Sequence, residues 1–427
     1  MNYRSVLAGL LLSVWIAVPA APAAAEYAFP LTNRYAATIL GTPPELQAEL
    51  PIEIPFRIGQ VTIFPARKVP AVLWLSDHLS YSYSLQPGPA PLVFIVAGTG
   101  ANHLSSKMLH LQRVLFRAGC HVVGLPSPTH PNFLAAASSS GVPGVLAEDA
   151  ADLYRAMQSI LRQLNDRAEI TGQLLVGYSL GGAQAAFVAH LDESLQTLNF
   201  RKVLMINPPV NLFDTVLRLD QMLEANIPGG LDNLDQFLDQ IFDSFSEVYR
   251  RGDFVDLNNQ FLYAVYREGK AFDDAMLEAV IGADFRFSCT NLAFSADVLT
   301  QAGYAVPKGR NLSRGDSLTV YYKVLSRLSF DDYIDGLLLP FWQAGEPGLT
   351  RAGMAARVDL HSIEAYLRTS PKLGLMHNVD DIILGPGDID WFRDVFGARA
   401  TIYPYGGHCG NLDYRDNVAE IIRFFRE

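Results

Sequence analysis

Residues 173–182 read Gln173-Leu174-Leu175-Val176-Gly177-Tyr178-Ser179-Leu180-Gly181-Gly182, followed by small residues at Ala183, Ala185 and Ala186. Gln173–Tyr178 has the composition of a strand buried on both faces, and a small-residue helix runs from Ser179 to about Leu191. A sharp turn between the two needs residues without a Cβ where the backbones meet, which is where Gly177 and Gly181 stand. It leaves the Ser179 hydroxyl presented at its apex. A G-x-S-x-G match is weak alone; between a buried strand and a helix it marks a candidate nucleophile.

The neighbouring segments alternate in the same way. Pro91–Ala97 is a second run buried on both faces, a helix is expected over about Ser105–Ala118, and a strand over Cys120–Leu125. Leu146, Ala150, Leu153, Met157, Ile160, Leu161 and Leu164 recur at steps of three and four, an amphipathic helix for packing on a sheet. Val203–Asn207 is a further strand, closed by Pro208-Pro209. The alternation resumes with Lys372–His377 as strand, Asp388–Phe396 as helix, Ala400–Tyr403 as strand and Val418–Phe425 as helix. Strands alternating with helices predict an α/β fold with a mostly parallel sheet flanked by helices.

Between the two halves, roughly residues 210–370 read as nearly all helical. Leu231, Leu234, Phe237, Leu238, Ile241, Phe242, Phe245 and Val248 trace an apolar face, and Asp232, Asp235, Asp239 and Asp243 an acidic, solvated one. The central glycine of a calcium loop is absent there. An aromatic stretch from Val320 to Trp342 packs this insertion on the core, with a part left to line an apolar pocket. Residues 26–65, with Pro43-Pro44, Pro51 and Pro55, read as an irregular arm, ahead of apolar segments at Ala71–Leu75 and His78–Leu85. The expected division is 1–25 signal peptide, 26–65 arm, 66–209 with 371–427 core, and 210–370 helical cap.

A serine hydroxyl attacks a carbonyl only once a base takes its proton and a carboxylate orients that base. His408, in the glycine loop Tyr405–Gly410 between the last strand and the last helix, is the best-placed base, with His130 and His377 as competitors at strand ends. Asp381 is the preferred carboxylate, then Asp380, then Asp388. An oxyanion needs two preset N–H donors. Leu180 follows the nucleophile, and the loop Ala97-Gly98-Thr99-Gly100-Ala101 follows a strand, so Thr99, or else Gly100, supplies the second. That loop lacks the Lys-Ser/Thr ending of a P-loop and the third glycine of a dinucleotide site, so no phosphate cofactor is expected.

Taken together, residues 91–209 and 371–427 resemble the α/β-hydrolase superfamily, through the Ser179 turn, the loop at Gly98–Gly100 and the order Ser179, Asp381, His408. The resemblance implies a helical cap after the sixth strand and acyl transfer to water. It excludes members with an aspartate nucleophile. The chain departs from the pattern at Ala97, where a histidine usually precedes the oxyanion glycine, and in the length of its cap. The aromatic cap points to a carboxylesterase or lipase-like enzyme acting on a small-molecule or lipid ester. A peptidase or amidase, a thioesterase, or a non-catalytic envelope binding or assembly protein are the alternatives on the same scaffold.

Composition bounds the setting. Among 427 residues 49% are hydrophobic and only 18% charged, which excludes a disordered chain. A net charge of −11 argues against nucleic acid or an anionic membrane as the main partner. Arg4, the apolar run Val6–Val18 and Ala23-Ala24-Ala25 form a signal peptide with cleavage before Glu26, so export to the periplasm or beyond is expected, with no membrane span left after its removal. That oxidising setting leaves room for one bridge among Cys120, Cys289 and Cys409, with one thiol over and the pairing open. No cysteine or histidine spacing matches a metal site.

Overall fold

The computed structural model describes residues 27–237, 239 and 273–427. The signal segment 1–25 lies outside the described residues, as do Leu238, Ile241, Phe242, Asp243, Phe245 and Val248 of the expected cap helix.

At the centre stands β3 (Ala90–Val96), parallel to β4 (His121–Leu125) on one side and to β5 (Ile170–Tyr178) on the other. Its alternate side chains enter two different cores. Leu92, Phe94 and Val96 meet α4 (Leu146–Asn165) and α5 (Leu180–Leu195), whereas Val93 and Ile95 meet α2 (Ser106–Arg117) and α9 (Arg415–Arg426). Burial on both faces explains why the strand reads as an unbroken apolar run. On α4 the positions spaced by three and four, Leu146 to Leu164, are buried with one exception, half-buried Leu161. Each fully buried leucine or methionine contributes about 1.5–3 kcal/mol relative to exposure.

β6 (Val203–Ile206), β7 (Leu373–Asn378) and β8 (Ala400–Tyr403) continue the parallel sheet beyond β5, and α8 (Asp388–Phe396) connects the last two. At the other edge β2 (Leu79–Ser84) runs antiparallel to β4, and β1 (Phe56–Val61) antiparallel to β2. The eight strands lie in the order β1-β2-β4-β3-β5-β6-β7-β8.

Between β6 and β7 the described residues are helices and loops. α6 (Leu212–Glu224) starts at Asn211, whose side chain accepts from the N–H of Phe213 and Asp214. α7 (Asp274–Thr300) crosses α6 at Gly282, where a Cβ would overlap the Leu223 backbone. Buried Arg286 on α7 binds Asp220 at 3.3 Å and Glu224 at 2.7 Å, and Asp220 also accepts from the N–H of Phe330 and Asp331. Three cap segments are thereby tied by one buried charge cluster. Asp232, Asp235 and Asp239 are exposed, while Leu234 and Phe237 pack against Leu223 and Ala279.

The structure differs from the sequence reading at four places. Residues 26–65 are not an irregular arm, because they hold α1 (Arg34–Leu40) and β1. The prolines sit between these elements, Asn33 caps α1, and edge exposure of Arg57 and Ile58 hides the strand alternation. Ala71–Leu75 belongs to a 3-10 run, Ala71–Ser76, following Pro70. A short helix unread in the sequence, α3 (Pro131–Ala136), begins with proline in its first turn and is capped by the His130 side chain. No disulfide is formed: Cys120, Cys289 and Cys409 are all buried free thiols, packed as small apolar side chains.

Candidate active site

β5 runs into α5 through Ser179, whose φ of 56° is a conformation that side-chain-bearing residues seldom take. The turn is that tight because a Cβ on Gly177 would overlap the Gly181 carbonyl, and one on Gly181 would overlap the Val96 carbonyl. The Ser179 N–H donates to the Ile206 carbonyl at 2.8 Å, and the Gly182 N–H to the Ser179 carbonyl at 2.8 Å, which hold the strained residue in place. Strain of this kind costs about 1–3 kcal/mol and persists where the surroundings over-determine it.

Ser179 Oγ lies 2.8 Å from His408 Nε2, and His408 Nδ1 lies 3.0 Å and 3.1 Å from the two oxygens of Asp381. Asp381 is fully buried. Burial pushes its carboxyl up, but His408, His377 and the Ile383 N–H outweigh this and hold it below the usual range, so it stays ionised at neutral pH. Its second oxygen accepts from Asn207 Nδ2 at 2.7 Å. Asn207, at φ 46° just past β6, was read in the sequence only as the end of a strand.

The competing residues have other partners. Asp380 accepts from the Gly407 N–H at 3.0 Å, and Asp388 from the Gly385 N–H at 2.7 Å, so neither touches the imidazole. His377 uses one ring nitrogen on the Pro208 carbonyl at 3.0 Å and accepts the Asn378 N–H at 2.9 Å with the other. Burial lowers its pKa. His130 caps α3, with its pKa lowered by burial to about 4.

The loop bearing His408 is clamped by α1, which the sequence left as irregular. The His408 N–H donates to Thr38 Oγ1 at 2.8 Å, Thr42 Oγ1 donates to the Gly410 carbonyl at 3.1 Å, and Arg34 Nη2 donates to the Asp381 carbonyl at 2.8 Å. A Cβ on Gly407 or Gly410 would overlap α1 itself. Thr38→Val leaves the His408 N–H without an acceptor, at about 1–3 kcal/mol. The expected result is a loss of about tenfold in kcat with little change in KM, measured on whichever ester turns over fastest.

The loop Gly98–Ala101 is a turn closed by the Ala101 N–H on the Gly98 carbonyl at 3.1 Å, with Gly100 at φ 69°. The Gly100 N–H donates to Thr129 Oγ1 at 2.8 Å, which occupies it. Among the described residues the N–H groups of Thr99 and Leu180 have no acceptor. Both residues line one apolar cavity, roofed by Phe213 and Val216 of α6, Leu292 of α7, and Phe330 and Tyr333.

Buried Asp149 accepts at 3.1 Å from the N–H of Gly144, which lines that cavity, and burial pushes its pKa to about 8. The folded chain therefore binds a proton that the unfolded chain releases near pH 4, so Asp149 withdraws stability as pH rises from about 4 to 8. Asp149→Asn removes this dependence. Urea unfolding should show the variant more stable by on the order of 2–4 kcal/mol at pH 7.5, with the difference shrinking towards pH 5; a pH-independent difference would contradict this.

No protein-family model matches the chain, and no curated protein matches it in sequence. Among solved structures it is similar to the thioesterase domain from the curacin biosynthetic pathway, at 12% identity over 87% of this chain and 99% of that one, TM-score 0.38. It is also similar to an esterase of Pyrococcus furiosus, at 10% identity over 89% and 96%, TM-score 0.41. A hyperthermophilic esterase from the archaeon Pyrobaculum calidifontis aligns at 14% identity over 88% and 86%, TM-score 0.41. Likenesses of this degree leave the assignment to the chain's own topology. The strand order, with β2 antiparallel to both neighbours and the rest of the sheet parallel, the glycine-walled turn at Ser179, and the order Ser179, Asp381, His408 together give this chain the α/β-hydrolase fold.

Proposed function

We propose that this chain is an exported serine hydrolase that cleaves carboxylic esters with an apolar acyl or alcohol group through an acyl-enzyme on Ser179. The observation that carries the reading is the continuous chain from Ser179 Oγ through His408 to Asp381, beside two N–H groups without acceptors. His408 takes the Ser179 proton as the oxygen attacks the carbonyl carbon. The negative charge that forms on the carbonyl oxygen is received by the Thr99 and Leu180 N–H groups. His408 then gives the proton to the departing alkoxide. Water, deprotonated by the same imidazole, attacks the acyl carbon and releases the acid, restoring Ser179. Asp381 fixes which imidazole nitrogen carries the proton and stabilises the imidazolium.

The cavity roof of Phe213, Val216, Leu292 and Phe330 carries no charged side chain, which favours neutral, apolar substituents over peptides or nucleotide-bearing thioesters. The test is turnover of p-nitrophenyl esters of increasing acyl length against a matched p-nitroanilide and acyl thioester. Esters are expected to lead, with an optimum in chain length. A faster anilide or thioester would reassign the bond, and no turnover of any would favour a binding protein. Export is tested separately, by mass measurement of the protein produced with its leader: a mature chain beginning at Glu26 is expected.

A further inference from the structure

We propose that the hydroxyl of Thr129 is a third hydrogen-bond donor to the reacting carbonyl oxygen, held in that role by Ser127. This rests on the hydrolase reading above, and it follows from where each proton in the Ser127–Thr129 pair can go.

Ser127 is fully buried just past the end of β4, and Thr129 is nearly so. Ser127 Oγ accepts from the Thr129 N–H at 3.3 Å and lies 2.9 Å from Thr129 Oγ1. Thr129 Oγ1 also accepts from the Gly100 N–H at 2.8 Å. A hydroxyl has one proton to give and two lone pairs to fill. If Thr129 gave its proton to Ser127, the Ser127 proton would have no acceptor among the described residues, at a position without access to water, and such a loss costs about 1–3 kcal/mol. The favoured arrangement has Ser127 donating to Thr129. Both lone pairs of Thr129 Oγ1 are then filled, by Ser127 and by Gly100, and its own proton is free. Thr129 lines the same cavity as Thr99 and Leu180, the residues whose N–H groups receive the oxyanion in the reading above, and this shared lining is what puts its free proton within the proposal. Two donors on its oxygen polarise the O–H and strengthen it as a donor.

The test compares Thr129→Val, Thr129→Ser and Ser127→Ala in the full mature chain. Four readouts are taken: kcat and KM on the best p-nitrophenyl ester, affinity for a trifluoromethyl ketone that forms a tetrahedral oxyanion on serine, melting temperature, and amide exchange of residues 98–101. Thr129→Val should lower kcat by about 10²-fold, hold KM within about twofold, and weaken the ketone by a similar factor, with faster exchange confined to the Gly100 N–H, which loses its acceptor. Thr129→Ser should restore most of the loss, and Ser127→Ala should fall between. Wild-type kcat in Thr129→Val overturns the proposal. So does a loss accompanied by faster exchange at Ala101, whose N–H closes the turn on the Gly98 carbonyl, because that would make Thr129 a support for the loop alone. Should activity survive Ser179→Ala, the hydrolase reading fails first; Ser179-dependent activity untouched by Thr129→Val refutes only the third donor.

Discussion

Ser179→Ala is expected to lower kcat on any ester substrate by about 10⁴–10⁶-fold while leaving the fold and melting temperature nearly unchanged. Among the described residues Ser179 Oγ bonds to His408 alone, so its removal loses one hydrogen bond, a change of about 1 kcal/mol. The backbone at φ 56° is held by the Ser179 N–H on Ile206 and by the glycine contacts, none of which involves the side chain. Stability and activity therefore separate at this position. Residual rate above that of water would come from the Thr99 and Leu180 donors and from binding alone. Circular dichroism and thermal melting accompany the kinetics, and a variant that loses activity by unfolding would not count as support.

The second large effect is at Asp381. Asp381→Asn should lower kcat by about 10⁴-fold, because the substituted amide has only one oxygen for the acceptor work of two. Asn207 Nδ2 donates to one oxygen of the native carboxylate and the Ile383 N–H to the other, so the single oxygen of the new amide stays with one of these donors, and its NH₂ takes the other position, which His408 Nδ1 also contacts. His408 Nδ1 would then accept, which places the proton on Nε2, pointing at Ser179, the wrong tautomer for a base. By contrast, Asp380→Asn keeps an oxygen for the Gly407 N–H and should cost less than about threefold, and Asp388→Asn, remote from the imidazole, should cost nothing measurable. Steady-state kinetics on the three variants therefore separates aspartates that the sequence left as alternatives.

Much of this site is legible in the amino-acid sequence alone, for physical reasons that differ residue by residue. Ser179 stands out because a turn that brings Gly177 against Gly181 tolerates no Cβ, and the doubly buried strands β3 and β5 announce themselves as unbroken apolar runs. His408 and Asp381 could be ranked because both follow strands at one end of the sheet, although only geometry separates Asp381 from Asp380. The clamp of α1 on Asp381 and on the His408 loop was hidden, since its bonds join residues 347 to 370 positions apart, and a seven-residue helix between prolines carries little periodicity. Asn207 and Thr129 were hidden for another reason: a polar residue just past a strand looks like any turn residue until its partner is known. No disulfide formed because oxidising surroundings permit a bridge without bringing any two of Cys120, Cys289 and Cys409 together.

The central claim, an activated serine at position 179, is tested most directly by reacting the folded protein with a fluorophosphonate and reading the intact mass. The account predicts one adduct per chain, mapped by peptide mass to Ser179 and absent from Ser179→Ala and His408→Ala. A folded wild-type protein that takes no label, or takes it on another residue, would contradict it.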